Sequence, residues 1–182
     1  MRAYDRLTAA LDRLPRDDGS PTIHDHLRRV EELLFSVLLD GPWMEAVFAS
    51  FPDATGRRVL REGRYLVHAQ RAAPGTTTHV HNHHTWGMHG VWRGHLREER
   101  FSRSSRPARA GRAYIRAGAD LILRPGAIAS FTPPGDVHRL SCSAERTTLS
   151  LHIYGRTAPA QQYVFRGRGT KPGEILAELR PA

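Results

Sequence analysis

His81-Asn82-His83-His84-Thr85-Trp86-Gly87 sets two imidazoles two residues apart. On a β-strand, alternate side chains face the same way, with Cα atoms about 6.6 Å apart. His81 and His83 can therefore converge on one metal ion, through bonds of about 2.1 Å. A third ligand must come from elsewhere, and Pro133-Pro134-Gly135-Asp136-Val137-His138 is suited to offer it. Its turn of small residues lets backbone approach closely, and His138 opens a strand-like stretch. Imidazole titrates at about pH 6.5, so it is largely neutral and ready to ligate at pH 7.

The sequence around this stretch reads as strands. Between residues 56 and 166, short apolar and β-branched runs are divided by Gly/Pro turns. Candidate strands are 65–71, 77–83, 88–101, 121–123, 127–132, 138–142, 147–154 and 162–165. Turns fall at Pro74-Gly75, Arg93-Gly94, Pro125-Gly126 and Pro134-Gly135. Many short strands so punctuated predict a sandwich or barrel. Residues 102–112 are polar and arginine-rich and are expected to form an exposed loop. Residues 167–182 are expected to form a loosely packed tail.

Residues 1–50 read differently. Leu7, Leu11 and Leu14 keep helical spacing up to Pro15. Ser20-Pro21 offers an N-cap followed by proline at the first helical position. Ile23, Leu27, Val30, Leu34 and Leu38 then recur near every 3.6 residues, and Gly41 marks an end. Pro42 opens a third helix, with Trp43, Met44, Val47 and Phe48 turned inward, and Phe51-Pro52-Asp53 closes the helical part. The whole chain, 1–182, is expected to be one domain: helices over 1–50 lie against one side of a β-barrel over 56–166, followed by the tail.

Composition narrows the function. The chain has 182 residues, one cysteine (Cys142) and a formal net charge of +9 carried almost entirely by arginine. A single cysteine cannot form an internal disulfide, which suits a reducing cytosol. No apolar run approaches the roughly 18 residues of a membrane span. Met1-Arg2-Ala3-Tyr4-Asp5-Arg6 lacks the apolar core of a signal peptide. The arginines are scattered, and no helix shows a basic stripe with interleaved aromatics. The expectation is a cytoplasmic monomer without nucleic-acid or membrane partners.

Other histidines leave the ligand set open. His79 shares the strand face of His81 and His83, so a His79/His81 pair is geometrically possible. His84 should point to the opposite face, and His89 belongs to the next strand. His24 and His26 read as surface or capping residues of the helical part. No carboxylate follows the second histidine closely; Gly87 and Met88 stand there instead. Three neutral imidazoles leave the ion its full charge. On one face of an octahedron they leave positions open for a bidentate substrate and O₂. The same triad on tetrahedral Zn²⁺ would activate water instead.

The parts together resemble the cysteine dioxygenase family of thiol dioxygenases, a branch of the cupins. The resemblance covers about residues 56–155. It comprises Pro74-Gly75, HxHxxWG at 81–87, Gly90-Val91 with Gly94, Pro133-x-Gly135-Asp136-x-His138, and Ser150-Leu151-His152-Ile153-Tyr154. It implies a mainly β fold: a cupin-type barrel, or double-stranded β-helix, with N-terminal helices packed on one side. It implies Fe(II) held by His81, His83 and His138. It also implies a hydrogen-bonded relay of Ser150, His152 and Tyr154, which alternation places on one strand face. The implied reaction inserts both atoms of O₂ into the sulfur of a small thiol to give a sulfinate, with cysteine the first candidate. The family binds a substrate carboxylate through a residue on the strand before the HxH strand. Arg57 stands at the matching place, and Arg58 beside it is the other candidate. His79 and Cys142 depart from the family pattern, and the extra histidines suit another thiol or thione, such as 3-mercaptopropionate or an ergothioneine-like thioimidazole. A non-catalytic metal-binding cupin would share the histidines without needing the relay.

Overall fold

The computed structural model describes residues 1–14, 23–51, 55–105, 110–155, 163–171 and 174–181. The expected stop at Pro15, the cap at Ser20-Pro21 and the boundary at Pro52-Asp53 lie outside the described residues.

Among the described residues, three helices come first: α1 (Ala3–Asp12), α2 (Ile23–Leu38) and α3 (Gly41–Ala49). The side chain of Asp40 caps α3 by accepting from the Trp43 amide, and Pro42 sits in its first turn. None of the described helices is long and apolar enough to cross a membrane. Eleven strands follow among the described residues: β1 (Gly56–Arg61), β2 (Leu66–Ala72), β3 (Val80–His81), β4 (Gly87–Arg93), β5 (Leu96–Arg103), β6 (Arg112–Leu123), β7 (Ile128–Phe131), β8 (Val137–Cys142), β9 (Thr148–Tyr154), β10 (Tyr163–Lys171) and β11 (Glu174–Pro181). They form a five-stranded sheet in the order β1-β2-β9-β4-β7 and a closed ring in the order β10-β11-β6-β5-β8-β3. The protein is thus mainly β, a cupin-type barrel with helices at its N-terminus.

The helices lie on one face of the five-stranded sheet. Leu7, Leu11, Val30, Leu34, Val37, Met44 and Phe48 join Val67, Ala69, Met88, Leu149, Leu151 and Ile153 in one buried cluster. Cross-strand register explains the segregation. Arg58, Ala69, Leu151 and Gly90 stand side by side across β1, β2, β9 and β4. The neighbouring row is Val59, His68, His152 and His89. Directly paired residues share a face, so one row meets the helices and the next points the other way.

The structure corrects two expectations about elements. The tail proposed for 167–182 is largely strand: β10 runs on to Lys171, and β11 pairs with both β10 and β6. Its Arg166-Gly167-Arg168-Gly169 run has no apolar alternation, so backbone pairing within the ring, invisible to pattern reading, sets its conformation. β6 likewise spans 12 residues rather than 121–123 and is mostly exposed along its middle. It too is held by pairing on both sides.

Candidate metal centre

His81 and His138 stand opposite each other in the antiparallel β3–β8 pair. That register brings their side chains together without help from any loop. His83 is placed by other means. β3 ends at His81, so strand alternation, the expected cause, does not orient His83. Asp136 does so instead: its buried Oδ2 accepts from the His83 amide at 3.0 Å and the His84 amide at 2.6 Å. His84 then turns away at φ 54°, and its Nε2 lies 3.1 Å from Asn82 Nδ2. Asp136, just before the strand that carries the third ligand, thus also anchors the second.

Ligand atoms of His81, His83 and His138 all lie within 4.8 Å of one another. His81 Nδ1 lies 2.9 Å from the His79 carbonyl, and His138 Nδ1 lies 2.8 Å from Glu98 Oε1. A carbonyl or carboxylate only accepts, so each Nδ1 carries the hydrogen and each Nε2 presents its lone pair. His83 Nε2 and His138 Nε2 are 3.1 Å apart. That is about the spacing of two imidazole nitrogens on neighbouring positions of one ion with bonds of about 2.1 Å. Burial, the main cause, lowers the pKa of all three imidazoles, His138 to about 4. They are neutral at pH 7, as ligation requires. The donor set therefore fits a metal ion. Among the described residues His79 does not join the cluster; its carbonyl serves His81. Nor does His89, which is fully buried with its ring 6.0 Å from that of His138.

Beside this triad runs the row expected on β9. Ser150 Oγ lies 2.9 Å from His152 Nε2, and Tyr154 Oη lies 3.3 Å from His152 Nδ1. The Tyr154 ring is 4.5 Å from the His83 ring. Burial raises the Tyr154 pKa above its ordinary value, so the hydroxyl keeps its proton and can donate. A Cβ at Gly87 would collide with the Phe131 ring and come within 2.9 Å of the Tyr154 ring. Glycine there lets both rings close on the histidines. Phe131 lies 5.4 Å from His83 and 4.9 Å from His138, centroid to centroid.

Arg57 and Arg58 separate cleanly. They lie on β1, with β2 between it and β3, not on the strand immediately before the HxH pair. Arg57 pairs with Gln70, which pairs with Ser150, so Arg57 shares the face of the relay. Burial lowers the His68 pKa and the Arg57 charge adds to that; burial raises the Tyr154 pKa and the Arg57 charge opposes it. Arg58 faces the helices, its Nη1 3.5 Å from the Val47 carbonyl. His24 side-chain placement lies outside the described residues, and His26 is exposed.

Two buried residues at the site escape sequence reasoning. His68 stacks on His152 with centroids 4.8 Å apart and planes 5° apart, and lies 5.7 Å from Tyr154. Glu98 is fully buried beside His138. The signal for Glu98 was its two-residue spacing from Leu96, but Glu98-Glu99-Arg100 reads as an ordinary solvated run. Phe101, three residues on, is also buried, but in a separate cluster with Val80, Ile115 and Val137.

No family model matches the chain. Solved structures are similar to it at low identity and at TM-scores below 0.5. A protein with a double-stranded β-helix domain from Klebsiella pneumoniae is 19% identical, over 66% of this chain and 87% of that one, at a TM-score of 0.45. A cupin-like protein from Thermotoga maritima is 16% identical, over 60% and 74%, at 0.43. An oxalate oxidase in complex with glycolate is 14% identical over 61% of this chain, at 0.43, and the match spans 55% of its own length. The strand order gives a mainly β barrel, and its three histidines form a triad able to hold a metal ion.

Proposed function

We propose that the protein is a non-haem Fe(II) thiol dioxygenase, converting a small carboxylate-bearing thiol to its sulfinate, with cysteine the first candidate. The observation that carries this reading is the juxtaposition of a carboxylate-free histidine triad with the Ser150–His152–Tyr154 row, Tyr154 lying against His83. Fe(II) held by His81, His83 and His138 would supply the centre at which thiol sulfur and O₂ react. Tyr154 is positioned by His152, itself held by Ser150, with its ring against His83. Its role is to hydrogen-bond the reacting groups and hold the proton at Oη. Arg57, on the same face, would grip the substrate carboxylate with two parallel charged hydrogen bonds and so fix where the sulfur lies. Arg58, which faces α3, is left out of that role. Phe131 and Gly87 keep the rings packed around the triad.

The test is O₂ consumption by Fe(II)-loaded protein with cysteine, 3-mercaptopropionate, cysteamine, mercaptosuccinate and ergothioneine. Uptake matched by sulfinate from a carboxylate-bearing thiol is the expected result. Preference for cysteamine would remove Arg57 from substrate binding. Full iron loading without uptake on any thiol would reject the dioxygenase and leave a non-catalytic metal-binding cupin.

A further inference from the structure

Many three-histidine cupin sites are completed by a carboxylate just after the second histidine, and here that place holds Gly87 and Met88. A carboxylate nevertheless reaches the triad from another strand, at one remove. Glu98 on β5 is the diagonal neighbour of His138, since Arg100 stands directly opposite His138 in the β5–β8 pair. Its two oxygens do different work. Oε1 accepts from His138 Nδ1 at 2.8 Å, while Oε2 accepts from Arg100 Nη2 at 3.0 Å and lies 3.6 Å from His89 Nε2. Arg100, 27% exposed, is itself fixed by the Ser130 carbonyl at 2.9 Å.

We propose that Glu98 is a positioning residue of the metal centre, holding His138 with Nδ1 protonated and Nε2 turned to the ion. A buried carboxylate needs a partner to offset its desolvation, and Arg100 supplies that from the rim. A Glu98–Arg100 pair kept only for packing would leave the second oxygen uncommitted; here it is spent on the imidazole. A ligating histidine whose far nitrogen donates to a carboxylate is held in one tautomer and is a stronger base toward the metal. Glu98 also brings one negative charge close to an ion otherwise surrounded by neutral ligands. The inference rests on the three-histidine metal centre and not on which substrate is oxidised.

The test uses Zn(II) as a diamagnetic probe and does not depend on turnover. Zinc affinity is measured by chelator competition for the wild type, Glu98→Gln, Glu98→Asp and His138→Ala, each checked for folding by circular dichroism. Glu98→Gln keeps the shape and loses the charge, and its affinity should fall about 10–100-fold. Glu98→Asp should recover part of that loss, and His138→Ala should lose binding. In the zinc-loaded wild type, ¹⁵N NMR should find His138 protonated at Nδ1 and metal-bonded at Nε2, which decides the matter if Glu98→Gln does not fold. A folded Glu98→Gln protein with wild-type zinc affinity, or a His138 bonded to zinc through Nδ1, overturns the proposal. A wild type that takes no zinc overturns the metal centre along with it, whereas zinc binding without thiol oxidation leaves Glu98's role standing and rejects only the dioxygenase.

Discussion

The two faces of the five-stranded sheet carry opposite chemistry on the same strands. On β9, Leu149, Leu151 and Ile153 enter the cluster beneath the helices, and Ser150, His152 and Tyr154 form the polar row beside the triad. Both faces are buried, but for different reasons. Each apolar side chain contributes about 1.5–3 kcal/mol simply by leaving water. The polar row gains little from burial, because hydroxyls and imidazoles exchange water for one another, and it would lose about 1–3 kcal/mol for each group left unmet. The helix face is therefore tolerant of chemistry and sensitive to volume. The site face is the reverse.

Substitutions should divide along that line. The largest effect expected is on His138: His138→Ala should abolish metal loading, read as metal content after dialysis, while the protein stays folded. Tyr154→Phe removes one hydroxyl; iron content should be unchanged and turnover should fall by about 10²-fold. Equal turnover would take Tyr154 out of the chemistry. On the other face, Leu151→Ala should cost about 2–5 kcal/mol in denaturant unfolding, with full metal stoichiometry in the folded fraction. A lost metal site in that variant would mean that the two faces are not separable.

Acidity offers a subtler probe. Burial, assisted by the Arg57 charge, lowers the His68 pKa to about 3. The unfolded chain, titrating at about pH 6.5, binds this proton more readily than the folded one. Stability should thus be intact above about pH 6.5 and fall as pH drops from there toward 3. His68→Asn should flatten part of that slope in the metal-free protein, measured by urea unfolding across the range. The smallest contrast is between the adjacent arginines. Arg57→Ala should raise KM for a carboxylate-bearing thiol, and Arg58→Ala should leave KM alone, with stability changed by no more than about 0.5 kcal/mol.

Much of this division is legible in the sequence because it follows period two. Leu149 to Tyr154 alternate strictly, so the relay and the apolar face separate on paper. The same rule places His81 but misplaces the cause for His83, which lies past the end of β3 and is held by Asp136 from 53 residues away. Arg57 and Arg58 are indistinguishable as letters; only register with Gln70 and Ala69 tells them apart. Glu98 hides in a charged run, and the Arg166-Gly167-Arg168-Gly169 part of β10 has no apolar alternation to announce it. In each case the missing information is a contact between residues far apart in the chain, which a local pattern does not contain.

The most direct test of the dioxygenase reading is to follow the oxygen atoms. Iron-loaded protein is turned over with cysteine under ¹⁸O₂ and the product is weighed by mass spectrometry. The account predicts a sulfinate carrying two labelled oxygens, lost in His138→Ala. Cysteine returned unchanged, or oxidised only to its disulfide, would contradict it.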